Sequence, residues 1–464
     1  MTANRTRTES LCPVCLKRLP AQRIFIGDDV HLVKTCAQHG EFRSLIWQGM
    51  PSFDQWQRPK IPAGPPVVFS KGEKGCPFDC GLCPDHRQRS CTVIIEITQR
   101  CNLACPVCYA AASSQRPDPP VDAIAELFRR AHDGGQGCNI QLSGGEPTLR
   151  DDLPAIVALG RERGFDFIQV NTNGLRLGRD RAFVKELKKA GLASVFLQFD
   201  GTEDDIYQYL RGRPLLQDKR AAIEACAEQD IGVVLVPTLV PGVNTHDIGA
   251  ILKAALDWVP TVRGVHFQPV SYFGRYPVTP DAAARITLPE VMRAIEDQSG
   301  GLFQATHFEP PGCENALCSF HGRFMQLPGG QVIPMKSSPS EACCAPPIKA
   351  DVGAIRAISA VARQWAGREK PAAETASSGG CICRTQGKAP GDTGALVPMD
   401  LDAFIHRART HTFSISAMAF QDAWTIALDR VRDCCIHVMA PDGRLIPFCL
   451  YNLTAVDGRR LYRP

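Results

Sequence analysis

Cys101-Asn-Leu-Ala-Cys105-Pro-Val-Cys108-Tyr109, following closely on the apolar run Val93-Ile-Ile-Glu-Ile-Thr98, is the stretch on which the reading of this chain turns. The run reads as a buried strand. Three cysteines at C-x3-C-x2-C spacing just beyond its C-terminal end supply ligands for three irons of a [4Fe–4S] cube, which normally takes four thiolates. No fourth cysteine stands close by, so one iron is expected to stay open to a small-molecule ligand. An open metal site at the C-terminal end of a strand is where parallel α/β barrels gather their chemistry.

C-terminal to this stretch the pattern alternates. Strands are expected at 92–98, 138–142, 166–171, 193–199, 232–239 and 262–268, with helices at Asp122–Ala131, Leu153–Arg163, Arg181–Ala190, Lys219–Glu228 and Asp247–Trp258. Six βα units in series imply an α/β fold with a parallel sheet and right-handed crossovers, read here as a partial (β/α)6 barrel spanning 92–270. The unusual residues follow the strands: Ser143-Gly144-Gly145-Glu146-Pro147-Thr148, Asn171-Thr-Asn173-Gly174, Gln198-Phe-Asp200-Gly201, Pro237-Thr-Leu-Val240-Pro-Gly242 and His266-Phe-Gln-Pro269. Any one is ordinary turn chemistry. Five in successive loops mark a ligand-binding mouth, where glycines allow close backbone approach and the Glu146 carboxylate can accept from an ammonium group.

N-terminal to the barrel, Cys76-Pro-Phe-Asp-Cys80-Gly-Leu-Cys83 repeats the same cysteine spacing, with Cys91 eight residues on. Cys91 as fourth ligand makes this segment, 61–91, a closed site suited to electron transfer or structure, with zinc as the alternative occupant. Residues 57–75 read as a linker. Within 1–60, Cys12-Pro-Val-Cys15 and Cys36-Ala-Gln-His39 offer four tetrahedral ligands to zinc or a single iron. Ile24–Ile26 and Val30–Val33 form a hairpin between them, a small ribbon that leans on its metal.

Composition agrees. Among 464 residues there are 21 cysteines, in a chain whose first residues carry no apolar signal region. Large size and ligand-like spacings favour metal and cluster binding over disulfides, in a reducing cytoplasm. A net charge of +4 gives no bulk reason to bind nucleic acid, and no 18-residue apolar run suggests a membrane span.

The Cys101, Cys105 and Cys108 triplet, the Ser143–Pro147 loop and the βα series resemble the radical S-adenosylmethionine (SAM) superfamily. The resemblance implies that the open iron is chelated by the amino and carboxylate groups of SAM. It also implies reductive cleavage to a 5′-deoxyadenosyl radical, with a flavodoxin- or ferredoxin-like reductant. It further implies that Gly144, Gly145 and Glu146 hold the methionine moiety, and that Asn173 and the backbone near Val240 face the ribose and adenine. Tyr109, Gln198 and Asp200 complete the expected cofactor shell. The ribbon, Lys74–Cys83, Gln268–Arg275 and Pro441–Asn452 are similar to one branch, the tetraether lipid synthase-like enzymes. Its relatives include hydroxymethyl-dihydropterin methyltransferases. This branch implies carbon–carbon bond formation or methylation on a lipid or pterin-like substrate.

Beyond Pro269, residues 271–464 read as a C-terminal region for an auxiliary cluster and the substrate, with a helix at Leu288–Asp297. A third iron–sulfur cluster is assembled from Cys313, Cys318, Cys435 and Cys449, with buried hydrophobic cysteines as the alternative. Cys138 and Cys226 read as core. A flexible insertion is expected near 371–397, carrying Cys381 and Cys383, and Cys343-Cys344 precede it. Ile355, Ile358, Ala362 and Trp365 share one helical face. An ordinary packed helix is favoured there over a substrate lid or a membrane-surface contact. The rival to an enzyme is a non-catalytic multi-cluster electron carrier, which has no use for the Gly144–Glu146 loop.

Overall fold

The computed structural model describes residues 5–112, 117–277, 280–281, 284–335, 347–367 and 399–463. Cys343, Cys344, Cys381, Cys383 and the insertion expected near 371–397 lie outside these residues.

Four antiparallel strands open the chain in sequential order: β1 (Arg5–Leu11), β2 (Arg18–Ile26), β3 (Asp29–Cys36) and β4 (Gly40–Trp47). The hairpin expected between Ile24 and Val33 is the centre of this larger ribbon. The main sheet then runs through β5 (Thr92–Thr98), β6 (Asn139–Gly144), β7 (Ile168–Thr172), β8 (Ser194–Gln198), β9 (Gly232–Val236) and β10 (Val262–Pro269), all parallel neighbours. Their apolar side chains Ile140, Leu142, Val195, Leu197, Val233 and Leu235 share one core with Phe128, Ile156, Leu187, Ile223 and Ile251 of the crossover helices. Residues of the other parity, Asn139, Gln141, Ser143, Phe196, Gln198 and Val236, point to the opposite face and line a cavity of about 880 Å³.

The sheet does not stop at six parallel strands. The later segments β11 (Ser319–Gln326), β12 (Val332–Pro334), β13 (Thr412–Met418), β14 (Ile436–Met439) and β15 (Leu445–Pro447) extend it at both ends. β13 lies parallel to β10, and β14 parallel to β5. These partners are separated in sequence by more than a hundred residues, so no local pattern announces the pairing.

The packed helix favoured for this segment is Ala350–Trp365, with Ile358 and Trp365 of the expected face against the core and Ile355 turned outward. Its buried residues include Gly353, Ala354 and Gln364, whereas Ile355 is half exposed. Asn139 Nδ2 donates to Ile358 O at 3.2 Å, and Trp365 Nε1 donates to Ser414 Oγ at 3.1 Å. The Trp365 ring lies 5.7 Å from Phe196 and 6.1 Å from His266. The helix lies on the cavity face of the sheet, toward the N-terminal ends of several strands, and forms the floor of the cavity. Gly232 permits this, because a Cβ there would sit 2.2 Å from Trp365 O. Among the described residues no helix is long and apolar enough to cross a membrane.

Gly232→Ala is therefore expected to cost about 1–3 kcal/mol through overpacking against the floor helix. Denaturant unfolding of the purified protein measures this, with Gly64→Ala, which meets no neighbouring atom within 4 Å and has no left-handed backbone, for comparison.

Candidate active site

Cys101, Cys105 and Cys108 stand together at the mouth of the cavity, packed with Leu103, Leu175, Tyr207 and Leu215. Burial pushes the Cys101 thiol up to about 11, and the neighbouring Glu146, Cys105 and Cys108 act in the same direction. A buried thiol in this state needs a cationic partner to exist as a thiolate, as an iron cluster supplies.

The loop is held from two sides. Cys108 N donates to Arg275 O at 2.9 Å and Arg275 N returns a bond to Cys108 O at 3.0 Å, while Arg275 Nε reaches Cys105 O at 2.8 Å. Gly274, at φ +58°, lets this segment approach, since a Cβ there would lie 2.5 Å from Tyr109 O. From the other side, Asn102 Oδ1 accepts from Asn173 Nδ2 at 2.8 Å.

Gly144 and Gly145 line the cavity as expected, and they are also required by packing within the protein. A Cβ at Gly144 would meet Thr98 O at 2.0 Å, and one at Gly145 would meet Arg100 O at 2.1 Å. Gly145 N donates to Thr98 O and Glu146 N to Arg100 O, so the two strand ends continue as paired backbone. The Glu146 carboxylate is largely engaged. Oε1 accepts from Thr148 N (3.0 Å), Thr148 Oγ1 (2.6 Å) and Thr172 Oγ1 (2.6 Å), and Oε2 accepts from Asn173 N (2.7 Å). Its chief work is to tie the loop after β6 to the loop after β7.

Tyr109, Asn173 and Gln198 also line the cavity. Tyr109 Oη and Ser143 Oγ are 2.8 Å apart, and burial raises the phenol to about 12. Asp200 and Val240, expected in the cofactor shell, are not among the lining residues. Asp200 is fully buried and grips Arg211 through two bonds of 2.7 and 2.6 Å, and Arg211 extends to Val107 O at 3.5 Å. Val240 N donates to Asn244 Oδ1 at 2.8 Å. Sequence reasoning missed Arg211 and Lys219. Lys219 is buried, with its amine lowered to about 8 by desolvation, and donates to Asn173 O at 2.6 Å and Gln198 Oε1 at 3.3 Å. The available signal was Asp200 itself, because a buried carboxylate demands a buried donor.

The remaining cysteines fall into three places. Cys12, Cys15, Cys36 and His39 bring their ligand atoms within 4.8 Å of one another. Cys12 Sγ and Cys36 Sγ lie 3.5 and 3.4 Å from His39 Nδ1, and Cys15 Sγ lies 3.9 Å from Cys36 Sγ. Tetrahedral zinc requires edges of about 3.7 Å for S···S and about 3.5 Å for S···N, so the donor set fits one ion. The Gln38 N–H holds the Cys36 thiol down to about 6.

Cys76, Cys80 and Cys83 remain electrostatic neighbours, and burial raises Cys76 to about 11. Cys91 departs from the expected foursome. It lies with Cys313 and Cys435, its Sγ 2.8 Å from Cys435 Sγ. The parallel pairing of Thr92 with Ile436 puts the two preceding cysteines side by side. The expected set of Cys313, Cys318, Cys435 and Cys449 is likewise divided. Cys318 and Cys449 line a separate small cavity together with Cys434. Cys318 Sγ accepts there from Arg430 Nη2 at 3.2 Å, and Cys449 Sγ from Gln421 N at 3.2 Å. Cys138 and Cys226 are core residues.

Comparison with known proteins agrees with this geometry. Residues 95–255 match the Radical SAM superfamily, and residues 5–48 match the HMPTM N-terminal zinc ribbon domain. The chain is 32% identical to 7,8-dihydro-6-hydroxymethylpterin dimethyltransferase of Methanocaldococcus jannaschii, over 96% of this chain and 93% of that one. A probable GTP 3′,8-cyclase of Methanothermobacter thermautotrophicus is 32% identical over 33% of this chain and half of its own length. A crystal structure of methylornithine synthase, 16% identical, covers 46% of this chain and 63% of its own, with a TM-score of 0.36.

Two outcomes are expected. Cys15→Ser should drop ribbon metal from one equivalent to below about 0.1, measured by elemental analysis after refolding with zinc. Asp200→Ala leaves Arg211 buried and unpaired, so it should lose about 3–5 kcal/mol of stability in denaturant titration.

Proposed function

This chain belongs to the radical SAM superfamily, in the branch of the 7,8-dihydro-6-hydroxymethylpterin dimethyltransferases, and from that premise we propose that it attaches a one-carbon unit to an unactivated carbon of a pterin-like substrate. The segments 1–60, 61–91, 92–270 and 271–464 serve in turn as metal ribbon, auxiliary cluster segment, radical SAM barrel and substrate region. The observation that carries the reading is that Cys101, Cys105, Cys108, Gly144 and Gly145 line one cavity, which continues to the floor at Trp365.

The [4Fe–4S] cluster and SAM, when bound, supply a 5′-deoxyadenosyl radical that removes a hydrogen atom from the substrate. Cys101, Cys105 and Cys108 would hold that cluster, and their loop stays in register through Arg275 and Asn102. The backbone of Gly144 and Gly145 would receive the methionine end of SAM, with Tyr109 and Asn173 beside it. Arg211, held by Asp200, places a fixed cation next to the cluster loop.

The lining supports a flat, polar ring over an alkyl chain. Asn139, Gln141, Ser143, Asn171 and Gln198 place amides and a hydroxyl on one stretch of wall, where ring N–H and C=O groups find partners. Val270, Phe273, Phe420 and Phe448 provide apolar and aromatic surface elsewhere. His266, lowered to about 4 by burial, stays neutral at working pH and is 2.8 Å from Ser416 Oγ.

Anaerobic reconstitution with iron and sulfide, then SAM and dithionite, should yield 5′-deoxyadenosine, and Cys105→Ala should lower its rate more than about 100-fold. With 6-hydroxymethyl-7,8-dihydropterin and a one-carbon donor present, either further SAM, which would leave as S-adenosylhomocysteine, or a methylene-carrying reduced folate, mass spectrometry should find a methylated pterin. A product that forms only with an ether lipid in place of the pterin would overturn the substrate assignment.

A further inference from the structure

Glu96 and Arg463 form a buried ion pair beside the cluster loop, with side chains 6% and 2% exposed. Arg463 Nη2 is 2.5 Å from Glu96 Oε1, and Nη1 donates to Glu96 Oε2 at 3.0 Å. Asn452 Oδ1 accepts from Nη2 at 2.7 Å and from Nε at 3.2 Å, and Ala110 O accepts from Nη1 at 3.5 Å. The guanidinium lies between two rings, 5.8 Å from the Tyr109 centroid and 5.0 Å from that of Tyr451. Gln99 Nε2 donates to Glu96 Oε2 at 3.0 Å.

A pair this well satisfied is still a poor source of stability, since apolar replacements of buried ion pairs are often neutral or stabilising. Its position suggests another use. Tyr109 is covalently next to Cys108, and Arg463 lies against its ring and bonds the backbone of the next residue, Ala110. The neighbouring Tyr462 accepts from Cys80 N at 2.9 Å and donates to Pro77 O, so the same segment grips the Cys76–Cys83 loop. In a buried site, a fixed charge is felt strongly by a group whose own charge changes.

We infer that Glu96 and Arg463 are a charge-balancing pair that sets the reduction potential of the cluster held by Cys101, Cys105 and Cys108. The inference rests on those three cysteines being the ligands. The step is a one-electron reduction: dithionite, or a low-potential donor of the flavodoxin class, is oxidised by one electron. The [4Fe–4S] cluster passes from the 2+ to the 1+ state, and no proton moves. An unbalanced cation stabilises the reduced state, and an unbalanced anion opposes it. Both residues are positioning residues, acting through the Tyr109 end of the loop.

EPR-monitored redox titration of the reconstituted full chain, without substrate, tests this. Glu96→Gln leaves Arg463 charged and should raise the reduced-to-oxidised ratio at fixed solution potential by about tenfold, roughly 59 mV for one electron. Arg463→Gln should shift the ratio the opposite way, the double variant should return toward wild type, and Arg463→Lys should stay close to it. Shifts of the same sign in both single variants, or no shift at wild-type iron content, would overturn the pair's role. Should Arg463→Gln fail to fold, the sign of the Glu96→Gln shift decides, with Arg463→Lys as the charge-retaining control, and a downward or absent shift in Glu96→Gln overturns the role. The ligand assignment fails separately, if Cys105→Ala retains the titrating signal.

Discussion

Backbone packed on backbone at the mouth of the sheet is the constraint from which the site follows. Gly145 N bonds Thr98 O and Glu146 N bonds Arg100 O, so the loop after the second parallel strand is stitched to the entry of the cysteine loop. No side chain fits between these segments, because a Cβ on either glycine would fall 2.0 or 2.1 Å from a carbonyl oxygen, far inside van der Waals contact. The glycines thus set the height of the cysteine loop above the cavity as well as opening the wall to a ligand. Glu146 then passes the constraint to Thr172 and Asn173, and Asn173 returns it to Asn102 inside the cysteine loop.

Around that frame, charge is buried in compensated units. Asp200 with Arg211, and Glu96 with Arg463, have almost no access to water. Each sits within one or two contacts of a cysteine that would carry iron. Lone buried ions would be prohibitive, and even pairs contribute little net stability, so their concentration here accords with a centre that must accept and release negative charge. The cavity floor is built differently, from the Trp365, Phe196 and His266 rings and a helix carried inside the curve of the sheet.

Much of this was legible beforehand. The six strand-like segments from 92 to 268 became the six adjacent parallel strands, because each offers apolar residues at alternate positions to the helix-covered face. The ribbon ligands were legible because two short, paired spacings hold their donors close along the chain. The regrouping of Cys91 with Cys313 and Cys435 was not, since it depends on a strand pairing across more than three hundred residues. The floor helix was legible as a packed helix, but its place in the cavity and its full buried face were not. Its contacts on the cavity face are to an asparagine and a serine as well as to rings, so apolar periodicity chose Ile355 for the buried face when that residue points outward.

The sequence by itself determined the chemistry: cysteines at C-x3-C-x2-C spacing after a buried strand, glycines at the next strand's end, and a ribbon with four metal donors. These are local properties, carried by spacings of a few residues. Only the tertiary structure decided which distant thiols share a site, that Glu146 and Asp200 spend most of their capacity on the protein itself, and that Arg463 reaches Glu96. Those outcomes depend on which strands become neighbours and on where a buried charge finds its partner, and both are set by the packing of the whole chain.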